Sequence, residues 1–176
     1  MEINLNSTFT AHHQTALITG ASSGIGKALT YEFASQGYQL ILAARSIAKM
    51  KSLAAELQKK FAVTVIVIEA DLETPNGAAL LHADIKSRGI VLSALVNNAG
   101  YGTFGEFKYA ELTKEIAMMQ LNMNSVVALT RLFLPDLLAT QGKILNLAST
   151  AAFQPGPYMS VYCATKSFVL SFSEAI

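Results

Sequence analysis

Short apolar segments alternate along this chain with longer helical ones, and this alternation limits the possible folds more than any other feature. The apolar segments have the length and residue types of buried strands, and they cover residues 15–19, 38–44, 63–68, 92–98 and 142–149. Segments of helical pattern follow them at residues 25–36, 46–61, 75–88, 111–139 and 159–176. Strands this uniformly apolar are covered on both faces. Because crossovers between parallel strands are right-handed, we predict an α/β fold of the Rossmann type, a doubly wound parallel sheet with helices on both faces.

Two residues predict local features of the helical segments. Ser46 stands where the second helix begins, and its hydroxyl makes it a predicted N-cap. Pro135 lacks a backbone N–H and restricts the residue before it, so we predict a bend in the long helix just before this position.

The composition predicts one globular domain in a reducing compartment. Of the 176 residues, 52% are apolar and 14% are charged. The net charge of +1 gives no strong field that would favour nucleic acid or an anionic membrane, and no apolar run reaches the ~18 residues of a membrane span. The single cysteine, Cys163, excludes an internal disulfide and fits a cytoplasmic protein. We interpret Cys163 as a packing residue.

Residues 14–176 are assigned to this single domain and residues 1–13 to a flexible N-terminal leader. The leader is polar and lacks the basic patch and apolar core of a secretory signal. It contains His12 and His13, but no cysteine or carboxylate lies at ligand spacing from them, so no metal site is predicted.

A glycine-rich loop, "TGASSGIGKA" at 19–28, joins the first predicted strand to the first helix. Its glycines follow the spacing G-x-x-x-G-x-G, with Gly20, Gly24 and Gly26. A turn without side chains lets the backbone approach a pyrophosphate, and the start of the helix offers unpaired N–H groups and a positive dipole end. Ser22 and Ser23 add hydroxyl donors. We therefore predict a dinucleotide site, the alternative being a tight strand-to-helix turn without a ligand.

The end of the second strand predicts which dinucleotide is bound. In dinucleotide sites an acidic residue at this position binds the ribose 2′-hydroxyl, whereas an arginine accommodates a 2′-phosphate. No Asp or Glu occurs between Gln39 and Ser46, and the strand ends with Ala44 and Arg45. We therefore predict NADP(H) in preference to NAD(H). The alternative is that Arg45 is a solvated loop residue.

A tyrosine and a lysine stand four residues apart in "VYCATKS", residues 161–167. On a helix this spacing puts Tyr162 and Lys166 on one face. A free phenol has a pKa near 10, and a neighbouring ammonium favours the phenolate. Such a phenol can give a proton to a carbonyl or take one from an alcohol. Taken alone, the pair also fits a surface helix with two amphipathic residues.

These motifs, taken with others, resemble the classical short-chain dehydrogenase/reductase (SDR) family. The resemblance runs in family order from residue 19 to residue 166, and its further elements are "ADL" (70–72), "NNAG" (97–100), "LNMNS" (121–125) and Ser149, thirteen residues before Tyr162. The resemblance implies that Tyr162 is the general acid and base and that Lys166 also binds the nicotinamide ribose. It implies that Asn122 keeps a water near Lys166. Ser149 ends the fifth strand, where ligands bind in such sheets, and can hold the substrate oxygen.

The resemblance also implies a set of cofactor-binding residues, in which Asp71 contacts the adenine ring. The predicted set is Gly20, Ser22, Ser23, Gly24, Ile25, Gly26, Arg45, Asp71, Leu72, Asn98, Ala99, Gly100, Tyr162 and Lys166. Structural roles stay open for some of the polar residues. Asp71 could cap the next helix, Asn97 and Asn98 could satisfy backbone groups between strands, and Asn122 taken alone is a packing amide.

The function predicted from these motifs is hydride transfer between NADP(H) and a small carbonyl or secondary alcohol substrate. The alternatives are a dinucleotide-binding module without turnover and an inactive fragment. Members of the family have roughly 250 residues, whereas this chain has 176. We therefore expect the chain to stop within the Tyr162 helix and to lack the C-terminal strands of the family. By resemblance, the helices at 111–139 and 159–176 would associate in a homodimer or homotetramer.

Overall fold

The computed structural model describes residues 14–176; the leader assigned to residues 1–13, with His12 and His13, lies outside the described residues. Five parallel strands form one sheet in the order β3-β2-β1-β4-β5. Their bounds are Thr15–Thr19 for β1, Gln39–Ala44 for β2, Val65–Glu69 for β3, Ala94–Asn97 for β4 and Lys143–Asn146 for β5. The predicted Rossmann-type parallel sheet is confirmed. The strand order reverses between β1 and β4, and ligands of such sheets bind at the carboxyl ends of the strands beside that reversal.

Helices cover the sheet on both faces. Their bounds are Gly24–Ser35 for α1, Ile47–Phe61 for α2, Gly77–Ser87 for α3, Leu112–Met119 for α4, Ser125–Ala139 for α5 and Ser160–Ala175 for α6. Leu17 of β1 packs in the core beneath α3 and α5, whereas its neighbour Ile18 packs in the core beneath α1 and α2. Adjacent strand residues point to opposite faces, so an apolar run such as 15–19 fits a sheet that is covered on both sides.

The long helix predicted at 111–139 is interrupted by a π-helical turn at Gln120–Asn124, which separates α4 from α5. Helix α5 continues through Pro135 to Ala139. Pro135 and Arg131, whose carbonyl would accept from the missing N–H, are both exposed, so water can replace that donor. The interruption of the long helix is the π-helical turn, about three helical turns before Pro135.

Helix α2 begins after Ser46, as predicted, but the Ser46 side chain makes no capping hydrogen bond, so the predicted capping contact is wrong. The backbone of Ser46 has φ −92° and ψ 86°, outside the extended conformation in which an N-cap side chain usually reaches the first turn. Among residues 14–176, no helix combines the length and the apolarity that a membrane span requires.

Candidate active site

One cleft of about 610 Å³ opens at the carboxyl ends of β1, β2, β3 and β4. All residues predicted to bind the cofactor lie in its wall; they are Gly20, Ser22, Ser23, Gly24, Ile25, Gly26, Arg45, Asp71, Leu72, Asn98, Ala99, Gly100, Tyr162 and Lys166. Its volume lies within the range of small-molecule and cofactor sites. Residues scattered over more than 140 positions of sequence are therefore brought to one surface by the parallel sheet.

The glycine loop forms one end of this cleft and leaves no room for side chains on its inner side. A Cβ on Gly26 would lie 2.3 Å from the Gly20 carbonyl oxygen and 2.4 Å from Asn98 Nδ2. Gly20 has φ +65° and Gly24 has φ +54°, a conformation that favours glycine. The position of a Cβ on Gly24 has no atom within 4 Å, so the cleft is open there.

Helix α1 starts at Gly24, with its first turn at the wall of the cleft. Ser23 is its N-cap residue, and the side chain of Ser23 makes no capping hydrogen bond. The first N–H groups of a helix have no partner within the helix, and its dipole is positive at this end. The open glycine turn and these uncapped donors fit the pyrophosphate of a dinucleotide.

Asn98 fixes the glycine loop to the end of β4. Its Nδ2 donates to the carbonyl oxygen of Thr19 at 2.8 Å, and the hydroxyl of Thr19 accepts from the N–H groups of Asn98 and Ala99, each at 3.0 Å. Asn97 Nδ2 donates to Asn146 Oδ1 at 2.9 Å and so links β4 to β5. Asn98 therefore satisfies a backbone group, as the alternative for it states, and it also lines the cleft. The Asn97 side chain bonds the side chains of Asn146 and Thr130 and, among the described residues, no backbone group.

Asp71 shapes the turn after β3 and does not cap α3. Its Oδ1 accepts from the backbone N–H of Glu73 at 3.0 Å, whereas α3 begins at Gly77 after Asn76 as N-cap residue. Glu73 in turn forms an ion pair with Arg45, with 2.6 Å between Glu73 Oε1 and Arg45 Nη1. Arg45, which the sequence predicts as the 2′-phosphate ligand, is therefore already paired with a carboxylate in the wall of the cleft.

Tyr162 and Lys166 lie on the same face of α6, and both line the cleft. Lys166 Nζ is 5.9 Å from the centre of the Tyr162 ring and donates to the Leu147 carbonyl oxygen at 2.7 Å. Only 7% of Lys166 is exposed, and this burial lowers the pKa of its ammonium from the ordinary 10.5. The side chains thus have the shared orientation that the four-residue spacing predicts.

The Tyr162 ring packs against Gly102, where the lack of a side chain leaves room for it. A Cβ on Gly102 would lie 2.9 Å from Cδ2 and 3.0 Å from Cγ of that ring. These distances are shorter than normal contacts, so any larger residue at 102 would push the ring or the loop aside. The loop after β4 therefore holds the phenol against the cleft.

Asn122 lies at the centre of the π-helical turn and is 1% exposed. Its Oδ1 accepts from the Tyr101 N–H at 3.2 Å, and its Nδ2 donates to the Tyr101 carbonyl oxygen at 2.9 Å and to Thr165 Oγ1 at 3.0 Å. The amide thus ties the loop after β4 to α6 next to Lys166. Asn124, two residues on, is exposed and bonds Gln120 instead.

Ser149 lies just beyond the wall of the cleft, which on this side is formed by Leu147 and Ala148. Its Oγ accepts from the Ala151 N–H at 3.1 Å and caps the short 3₁₀ turn Thr150–Phe153. That contact uses Ser149 as an acceptor and leaves its O–H hydrogen for another partner. Tyr162 and Lys166 thus both line the cleft. Asn122 lies behind Lys166, and Ser149 lies beside the cleft wall.

Several residues of the wall were not predicted from the sequence, among them Glu73, Tyr101 and Gly102. Glu73 follows the third strand just as Arg45 follows the second, and because these strands are neighbours their ends meet. The proximity of Glu73 to Arg45 could therefore be predicted from the sequence once the order of the strands is assumed. Tyr101 and Gly102 directly follow the predicted motif at 97–100, and the need for a glycine at 102 appears only when the Tyr162 ring beside it is placed.

Comparison with known proteins assigns the family. The model of the short chain dehydrogenases matches residues 14–176, and the chain belongs to this family. Among the residues that the structure describes, no cluster of His, Cys, Asp and Glu could hold a metal ion.

Individual relatives are of several kinds. Human 17-beta-hydroxysteroid dehydrogenase type 3 is 35% identical over 166 residues, covering 93% of this chain and 53% of that protein. A Comamonas testosteroni alcohol dehydrogenase specific for bulky-bulky ketones is 34% identical, with a TM-score of 0.86, covering 92% of this chain and 65% of that one. A short-chain dehydrogenase of Sphingobium yanoikuyae in complex with NADPH is 34% identical, with a TM-score of 0.85, and the match covers 92% of this chain and 63% of that one. The chain spans about half the length of the curated relatives it matches.

Proposed function

We propose that the protein containing this chain is an NADP(H)-dependent oxidoreductase acting on a small carbonyl or secondary alcohol substrate. The observation that carries this proposal is the shared orientation of Tyr162 and Lys166, whose Nζ lies 5.9 Å from the ring centre at the wall of the glycine-loop cleft. A binding module has no need of a phenol beside an ammonium at this position. Relatives that are dehydrogenases, one of them solved with NADPH, support the same reaction class.

Tyr162 would exchange a proton with the substrate oxygen. The phenol would give its proton to the carbonyl oxygen in reduction and would take it back from the alcohol in oxidation. Ser149, beside the wall, would donate its O–H to the same substrate oxygen. Acid–base help of this kind is typically worth about 10²- to 10⁴-fold. The nicotinamide, when bound, supplies or accepts the hydride.

The residues at the glycine loop and at Arg45 would hold the cofactor. The first turn of α1 offers N–H donors to the pyrophosphate, and Gly24 faces open space there. The side chain of Arg45 is 64% exposed at the cleft, where it is available to a 2′-phosphate. No carboxylate ends β2, which supports the preference for NADP(H) over NAD(H).

Turnover decides between this enzyme and a module that only binds the dinucleotide. The protein should be supplied with NADPH and a panel of aldehydes and ketones, and NADPH oxidation followed at 340 nm. We expect turnover of at least one carbonyl. NADPH binding without turnover of any substrate, in either direction, would instead support a binding module, and the absence of both would support an inactive fragment.

We also propose that the protein forms a homodimer or homotetramer in the cytoplasm. Apolar side chains on α4 and α5 support this association, because Leu112 is 72%, Ile116 55% and Val127 38% exposed. Light scattering at several concentrations tests the association, and a monomer at all of them would contradict it. A fluorescent fusion protein tests the compartment.

A further inference from the structure

We propose that Glu73 is a specificity-determining residue of the cofactor cleft. Its carboxylate competes with a 2′-phosphate for Arg45 and thereby reduces the selectivity for NADPH over NADH. This inference rests on the proposed cofactor-binding function of the cleft. Arg45 alone would raise the selectivity for NADPH over NADH, whereas Glu73 lowers it.

In the ion pair between Arg45 and Glu73, Glu73 is the partner whose backbone is fixed by neighbouring contacts. Glu73 Oε1 is 2.6 Å from Arg45 Nη1, and the side chain of Glu73 is 22% exposed whereas that of Arg45 is 64% exposed. The backbone N–H of Glu73 donates to Asp71 Oδ1 at 3.0 Å. Thr74 Oγ1 donates to the Asp71 carbonyl oxygen at 2.9 Å, and Gly77 packs so closely that its Cβ would lie 2.0 Å from that oxygen. The carboxylate therefore stands on a turn held by these contacts, and the arginine is the more exposed partner.

The charges of the cleft make Arg45 the decisive cation at this end. Among the described residues, its wall contains the basic side chains Arg45 and Lys166 and the acidic side chains Asp71 and Glu73. Lys166 lies beside Tyr162 and bonds the Leu147 carbonyl, so it does not serve the ion pair. The pKa of Tyr101 is raised, first by burial and then by Glu73, while Arg45 opposes the rise, which agrees with a position of the ion pair beside Tyr101.

A carboxylate and a 2′-phosphate on one guanidinium repel each other. Two such anions would lie roughly 6 Å apart. A phosphate with a charge of about −1.5 to −2 would feel this repulsion in water as about a threefold loss of affinity at physiological salt and as up to about a tenfold loss at low salt. Arginine has five N–H donors, so loss of Glu73 frees donors for the phosphate. NADH carries no 2′-phosphate, and its 2′-hydroxyl can donate to a carboxylate. Glu73 therefore opposes NADPH and not NADH.

The test compares dissociation constants rather than activity. Calorimetry would measure the binding of NADPH, NADH, 2′,5′-ADP and 5′-AMP to the wild type and to Glu73→Gln, which keeps the side-chain shape. Glu111→Gln is the matched control, because Glu111 is an exposed glutamate paired with Lys114 at 2.8 Å and lies outside the cleft wall. An exposed ion pair contributes little to stability, so both variants should fold.

We expect Glu73→Gln to bind NADPH and 2′,5′-ADP about three- to tenfold more tightly and to bind NADH and 5′-AMP no more tightly. The gain should shrink as salt is raised, and it should be smaller when Glu73→Gln is made in an Arg45→Ala background, where the phosphate is no longer held beside Glu73. Unchanged or weaker NADPH binding by Glu73→Gln would overturn the inference, since Glu73 would then be neutral or would orient Arg45. NADPH binding without turnover would overturn the proposed catalysis and leave this inference intact, and no dinucleotide binding would overturn both.

Discussion

The ammonium of Lys166 lies 5.9 Å from the centre of the Tyr162 ring, one helical turn further along α6, and both side chains line the cleft that starts at the glycine loop. A helical spacing of four residues brings the two side chains to one face, but three further contacts fix where they stand. Leu147 accepts from Lys166, Gly102 leaves room for the ring, and Asn122 holds the loop that contains Gly102. The proposed acid–base pair is thus positioned by α6, the π-helical turn and the segments that follow β4 and β5.

Lys166 should make the stability of the protein depend on pH. Burial lowers its pKa below 10.5 in the folded state. Between the lowered pKa and 10.5 the unfolded chain binds more protons than the folded chain, so the free energy of unfolding rises with pH across this window. The stability of the wild type relative to Lys166→Met should therefore increase as the pH is raised towards 10.5, and this gain should be lost as the pH falls through the lowered pKa. Urea unfolding at a series of pH values measures this difference.

The control for this experiment is Lys51→Met, which removes an exposed lysine from α2. A relative stability of the wild type over Lys166→Met that stays constant or decreases towards pH 10.5 would show that Lys166 is not held in a site that disfavours its charge.

Asn122 should contribute strongly to stability as well as to the site. Its amide makes three hydrogen bonds and is 1% exposed, so Asn122→Ala should lower the free energy of unfolding by about 2–4 kcal/mol. Asn124→Ala is a matched control on the same turn, because Asn124 is exposed and bonds only Gln120 through its Nδ2. We expect that variant to change stability by less than about 0.5 kcal/mol. Equal effects of the two substitutions in denaturant unfolding would refute the structural role of Asn122.

The glycines of the loop should differ in their tolerance of a methyl group. Gly26→Ala would place Cβ 2.3 Å from the Gly20 carbonyl oxygen, so it should cost about 1–3 kcal/mol of stability and abolish detectable dinucleotide binding. Gly24→Ala meets no atom within 4 Å and bears only the strain of its φ of +54°, about 1 kcal/mol. Thermal unfolding and NADPH titration of the two variants provide the check, and a Gly26→Ala protein that binds as well as Gly24→Ala would contradict the close packing.

Gly102→Ala should impair catalysis more than folding. The added Cβ would press on the Tyr162 ring at 2.9–3.0 Å, and a displacement of about 1 Å in a catalytic group can cost 10²-fold in rate. Steady-state kinetics should show a lower kcat, and thermal unfolding should show an intact fold. A kcat equal to that of the wild type would mean that the loop after β4 does not position Tyr162.

Much of this molecule could be predicted because its signals are local. The apolar run at 15–19 and the glycines that follow it encode a buried strand and a turn within twelve residues of each other. The π-helical turn at Gln120–Asn124 was missed because it adds one residue within a continuous helical pattern and leaves that pattern almost unchanged. Ser46 stands at the correct position but has a backbone conformation that sequence does not report.

The rest of the candidate site depends on contacts between distant loops. Arg45 and Glu73 are 28 residues apart and meet only because β2 and β3 are neighbours. Gly102 and Tyr162 are separated by the helices α4 and α5 and by the whole of β5. Sequence spacing gives the composition of the cleft wall, and the sheet topology decides which members of that wall touch.

The most direct test of the central claim is a single-turnover measurement of hydride transfer with Tyr162→Phe. Enzyme in excess over NADPH would be mixed with the carbonyl that the wild type reduces, after titration has given the NADPH dissociation constant of each protein. We predict that Tyr162→Phe binds NADPH within about threefold of the wild type and transfers hydride about 10²- to 10⁴-fold more slowly. Hydride transfer within tenfold of the wild-type rate would show that the phenol beside Lys166 is not the proton donor.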